Sequence, residues 1–443
     1  MAELPLTDDP RAAFLAAATW HGDLEHAEAI LAAHPELRSG DLHTAATLGD
    51  DATVRQVLAH DPASVNAKSA PYGGDALNYL CLSKYLRLDP SRSDAFLRAA
   101  TALLDAGADP NTGFWTTGRH PERETALYGA AGVAHHAALS RLLLERGADP
   151  TDVEVVYHSP ESYDNDAMKL VALTGKLSSD DLAMMLVRKH DWHDVEGAKW
   201  LLEHGADPNL ERRRGWSPMH HALARDNNLK MFALLLDHGA NPMLVVDGLT
   251  CVARAAREGR SDVLELFVQR GIAVELTGVD HLISACAMGD AASVRSIAAA
   301  QPGLVGEVLA MGGELLTKFA GTCNPPGVRQ LLDLGVDVAA PFTAGDGYWD
   351  EAPGSLAIHV AAWRGCPAVV KLLVERGSPV DLADAKGRTP LALAIKACVD
   401  SYWTEMRSPD SVQALLDAGA SVAGIPFPSG YQEVDDLLRS HGA

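Results

Sequence analysis

One phrase recurs along this chain and limits what it can fold into: "LLDAGADPN" (103–111), "LLLERGADP" (142–150), "LLEHGADPN" (201–209) and "LLLDHGANP" (234–242). Looser copies follow at 266–274, 331–339, 372–380 and 415–423. Each copy reads as a helix end. Leucines close an apolar stripe, glycine takes the left-handed position beyond the last turn, and Asp-Pro or Asp-Val leads out into a turn. A unit returning at this spacing cannot bury its apolar face alone, so neighbours must stack. Between Gly107, Gly147, Gly205, Gly239, Gly271, Gly335, Gly377 and Gly419 the steps are 40, 58, 34, 32, 64, 42 and 42 residues.

The other half of the unit lies upstream, in "ETALYGAAG" (124–132), "WSPMHHALA" (216–224), "LAIHVAAWRG" (356–365) and "GRTPLALAI" (387–395). Together the halves resemble the ankyrin repeat, which pairs T-P-L-H-x-A with a second helix ending L-L-x-x-G-A-D. The resemblance implies an all-α ankyrin-repeat solenoid of helix pairs with β-turn fingers. Counting the degenerate stretches 19–37, 47–65 and 282–305 gives eleven or twelve units. The expected organisation is one continuous array over 1–443. It comprises degenerate repeats to 66, repeats with long fingers and an extra helix over 67–245, degenerate repeats over 246–340, and C-terminal repeats with a cap over 341–443.

Composition narrows the partners. A formal charge of −22 without a basic block repels phosphate backbones, so nucleic acid is not expected. No run reaches membrane-spanning length and the start lacks a basic, apolar leader, so the expected compartment is the cytoplasm; the Ala-rich composition suits a bacterial source. Six scattered cysteines, with no C-x-x-C pair, read as small core residues of a reducing compartment.

Departures from the repeat are where function is sought. Four segments lengthen the fingers: 66–75, 111–124, 151–166 and 341–354. They carry Tyr72, Phe114, Trp115, Tyr157, Tyr163, Phe342, Tyr348 and Trp349, a large share of scarce aromatics. Exposed aromatics on loops mark contact surfaces unless they fold back on the protein. With Asn165, Trp192, Arg213, Trp216, Arg225 and Trp363 at finger or first-helix positions, they form the expected partner- or ligand-binding set. The resemblance implies a protein partner held on the concave face and fingers, without cofactor.

A second reading is an enzyme or small-molecule binder. At the concave face of repeats 3–6, Tyr128, His158, Asp164, Lys189, His190, Asp191 and His193 are the residues that would supply acid–base chemistry. Aligning Gly147 with Gly205 sets His135 opposite His193, which puts the two near each other if their repeats are neighbours. His190 and His193 stand at i, i+3, but no H-E-x-x-H, G-x-S-x-G or phosphate loop accompanies them, so no metal is assigned. A third reading is an acidic inhibitor that occupies a basic partner.

Overall fold

The computed structural model describes residues 8–210, 217–401 and 403–442. Among them, short antiparallel helix pairs follow one another, from Pro10–Ala18 with Leu24–Ala33 to Pro390–Asp400 with Asp410–Asp417; Gln432–Ser440 closes the series. The described strands are short and belong to the fingers: Gly113–Trp115 pairs with Arg123–Thr125, and Val245–Val246 with Leu249–Thr250. The fold is all-α.

A single pair shows why the sequence does this. Leu42–Leu48 is buried along its whole length, and its small residues let neighbouring helices close in. Gly49 then turns the chain at φ 67°, where a Cβ would strike the Phe96 ring at 2.5 Å. Asp50 caps the returning helix Asp51–His60 by accepting from Thr53 N at 3.0 Å. Elsewhere the same left-handed corner is filled by other residues: Trp20 (φ 52°), His135 (φ 48°), His193 (φ 51°), Asp226 (φ 49°) and Cys323 (φ 53°).

The described residues fall into two compact units: residues up to Ala222 with Leu234–Ala240, and Leu223–Ala233 with residues from Asn241 on. The first has a core that includes Phe14, Leu31, Leu80, Phe96, Leu103, Leu139, Leu143, Met185 and Leu201; the second includes Phe232, Phe267, Phe319, Leu331, Leu373 and Leu415. Each such side chain contributes ~1.5–3 kcal/mol on burial.

Four expectations need correction. Residues 151–166 are not a finger: Asp152 caps the helix Val153–His158, which pairs with Asp166–Ala172. The 58-residue step therefore holds a whole additional helix pair rather than one extra helix, closed by Gly175 at φ 68°. The helix Ser179–Asp191 does begin at a Ser178 capping box as the sequence indicated, but it opens the following pair, with Val195–Glu203. Because a pair intervenes, His135 and His193 are corners two repeats apart, about 20 Å at the usual helix spacing, and not neighbours. Finally, Cys323 and Cys366 are joined in a disulfide (Cα–Cα 5.2 Å), while Cys81, Cys251, Cys286 and Cys398 are free and buried. Scattered sequence positions concealed that pair because a repeat of 43 residues brings one corner beside the next.

Candidate functional site

In the first unit, the ends of successive first helices build a chain of charged contacts. His158, at the end of Val153–His158, lies 3.2 Å from Glu154 and 2.7 Å from Glu161. Burial opposes its charge, but these two carboxylates outweigh burial and push His158 up to about 9. Glu161 also meets the Arg188 guanidinium, which lies over the Tyr157 ring at 4.1 Å and bonds Asp191 as well. The other oxygen of Asp191 bonds His221 Nε2 at 2.8 Å. His221 lies 6.1 Å, ring to ring, from His190. Thus His158 and Asp191 belong to one network, spanning three helix pairs.

Lys189 and His190 are wholly buried. The Lys189 Nζ donates to Ser162 O at 2.6 Å and to Asp194 Oδ2 at 2.9 Å. Asn165 Nδ2 donates to the same Asp194 oxygen at 2.9 Å, and Asp194 Oδ1 caps the next helix through Gly197 N at 2.9 Å. This knot ties the 159–165 loop to the corner. Burial lowers the Lys189 ammonium from its ordinary range, with Asp194 offsetting part of the effect. Burial, helped by His221, pushes His190 down to about 3, so its ring is neutral at pH 7.

The remaining acid–base candidates are spread out. Tyr128 is buried with its ring 5.3 Å from His158, and its hydroxyl accepts from Trp20 Nε1 at 3.3 Å. Asp164 is exposed and accepts from Asp166 N at 3.0 Å. His193 is the half-buried corner itself. Of the seven, Tyr128, His158 and Asp191 lie along one face, Lys189 and His190 beneath it, and Asp164 and His193 apart from it.

The aromatic set divides by exposure. Phe114 is buried, stacked on Tyr72 at 5.0 Å and edge-on to Trp20 at 5.6 Å. Burial of the half-buried Tyr72 pushes its hydroxyl up to about 12. In the second unit, Phe342, Trp349 and Trp363 are also buried; Trp363 Nε1 donates to Trp349 O at 2.6 Å, and Arg364 lies over Trp349 at 3.5 Å while bonding Asp226 at 2.5 Å. Those four rings, Phe114, Phe342, Trp349 and Trp363, are packed within the protein. Trp115, Tyr163 and Tyr348 present 64, 69 and 42% of their surface to solvent. Tyr163 meets the half-buried Trp192 edge-on at 5.6 Å, and Arg225 lies over Tyr348 at 3.7 Å. Arg213 and Trp216 lie outside the described residues.

Sequence reasoning passed over Trp20, Glu124, Glu161, Arg188 and His221. Glu124 stands opposite Phe114 in the hairpin register, so both project from the same face. Period-two alternation across "RET" hints at this, but the register that pairs it with Phe114 is not readable without the hairpin.

Models describing ankyrin repeats match residues 157–246 and 183–278 as three-copy arrays and residues 354–385 as a single repeat. With helix pairs, left-handed corners and the recurring Gly-Ala-Asp ends, this decides the family. The chain carries ankyrin repeats. Over 324 residues (67% of its length) this ankyrin-repeat chain is 25% identical to "Ankyrin repeat and KH domain-containing protein mask-1" of Caenorhabditis elegans, covering 11% of that protein. Over 84 residues (19% of its length) it is 34% identical to "Serine/threonine-protein kinase 12" of Arabidopsis thaliana, covering 16% of that one. The ankyrin chain thus spans a small part of either relative. No helix among its described residues is long and apolar enough to cross a membrane.

Proposed function

We propose that this chain is a protein-interaction module that holds its partner on the corner face and the fingers. Ankyrin repeats generally serve as interaction modules, and one observation supports that role here: Trp115, at a finger tip, and Tyr163, beside Trp192, leave large aromatic surfaces in water. Such rings cost free energy when exposed and act as anchors when a partner covers them. The charge of −22 favours a basic partner and disfavours nucleic acid. The enzyme reading has less support, because Lys189 is committed to Asp194 and Asp164 and His193 lie apart from Tyr128, His158 and Asp191.

The test is affinity capture with wild type against Trp115→Ala/Tyr163→Ala, with bound proteins quantified. The anchors should each be worth ~2 kcal/mol, so the double variant should lose most of its bound partner. An unchanged partner set would remove the reading.

A further inference from the structure

The carboxyl of Glu124 is an acidic group near this face that nothing in the described structure satisfies. The residue is 2% exposed, its Oε2 is buried, and no hydrogen bond or ion pair reaches it. Buried carboxylates are normally paired, and leaving one unpaired costs the full desolvation penalty. Because Glu124 and Phe114 share a face of the hairpin, the carboxyl is directed at the inner side where Phe114 meets Trp20 and Tyr72. Tyr128, whose hydroxyl accepts from Trp20 Nε1, lies within electrostatic reach, as do Asp152, Glu154 and His158 of the next pair and Glu122 of the same hairpin.

We propose that this place binds a basic side chain, lysine or arginine, presented by the partner protein. Its charge would sit between the Glu124 carboxyl and the rings of Trp20 and Tyr72. A cation gains from the negative faces of tryptophan and tyrosine, and more so when water is excluded. It also supplies the partner Glu124 lacks. An anion would meet Glu122, Asp152, Glu154 and Glu161, so the charge of the occupant is fixed by the surroundings. This inference rests on the partner-binding reading and names the chemistry of the contact.

Ionisation of Glu124 accompanies binding. Burial, then Glu154 and Glu122, push its carboxyl up to about 8, while the nearby His158 is held up to about 9. Tyr128 is raised by burial and keeps its proton, and burial raises Asp152 as well. Affinity for the cation therefore rises between about pH 6 and about pH 9 as Glu124 loses its proton.

The probes are fluorescein-labelled glycine–serine peptides with a single central lysine, arginine or norleucine, read by fluorescence anisotropy on the full chain. Lysine and arginine peptides should bind about tenfold tighter than norleucine, and Glu124→Gln should lose about tenfold. Glu122→Gln, an exposed carboxylate on the same hairpin, should stay within about twofold. Equal losses in the two variants would reduce the effect to the bulk field and overturn the proposal, as would norleucine binding as well as lysine. Free butylammonium binding as tightly as the lysine peptide would overturn the assignment to a protein side chain. Melting of Glu124→Gln at or above the wild-type temperature separates lost binding from lost fold. Trp115→Ala/Tyr163→Ala should still bind these peptides, so failure of the partner reading and failure of this site are told apart.

Discussion

Glu124, Lys189 and Gly197 carry consequences that single substitutions expose. Glu124 unfolded ionises near the ordinary glutamate value; folded, it is pushed up to about 8. The folded state binds the extra proton between those values, so stability falls as pH rises from about 4.5 to about 8. Glu124→Gln removes that slope. Urea titrations at several pH values should show the variant gaining on wild type by ~2 kcal/mol or more at pH 8 and by little at pH 4. Lys189 works in the opposite sense, since its charge is already paired. Lys189→Met strands Asp194 and should cost ~3 kcal/mol; adding Asp194→Asn, which keeps the cap, should restore most of it. Restoration would separate a structural ion pair from a catalytic lysine. At Gly197 a Cβ would stand 2.5 Å from Asp194 Oδ2 and 2.7 Å from Lys189 Cε, so Gly197→Ala should destabilise by ~1–3 kcal/mol despite its better helix propensity.

At the level of helices and corners, what was legible depended on which signals the repeat had kept. Ser178 followed by Asp181 announced the start of Ser179–Asp191, and the capping box is there. Gly107, Gly147 and Gly205 announced helix ends and all have positive φ. The pair Val153–His158 and Asp166–Ala172 was hidden because "LTGK" lacks the Ala-Asp-Pro after its glycine, and because two tyrosines and a proline made it look like a loop. The candidate site was legible in part: His158 and Asp191 could be named from residue type, but Glu124, Glu161 and His221 become members only through contacts between repeats. Residue type makes His193 a chemical candidate, but as a left-handed corner it has a structural reason to be tested first. His193→Gly should hold or raise stability, by up to about 1 kcal/mol, since glycine takes that conformation without a Cβ penalty. A loss above that, in thermal or urea unfolding, would show that the imidazole contributes contacts of its own.

Over the molecule as a whole, the charge of −22 and the Cys323–Cys366 bond act on the chain rather than on one contact. A field of this sign speeds encounter with a basic partner and is screened by salt. Stopped-flow association with such a partner should slow markedly between low and physiological ionic strength, with dissociation changed less; a salt-independent on-rate would remove the electrostatic argument. The disulfide closes a loop of 43 residues, worth about 4 kcal/mol in a chain-entropy account. Reduction should lower the unfolding midpoint of wild type and leave Cys323→Ser unchanged.

The left-handed corners have one more consequence. Wherever glycine has given way to Trp20, His135 or His193, the backbone is held in the same conformation while the side chain is free to differ. Successive corners are separated by a helix packing distance of ~10 Å, and an extended polypeptide advances ~3.3 Å per residue. A strand laid along them in the first unit would therefore be read at about every third residue, like print under a ruler. On the partner-binding proposal, changing one corner would rewrite one letter and leave its neighbours intact.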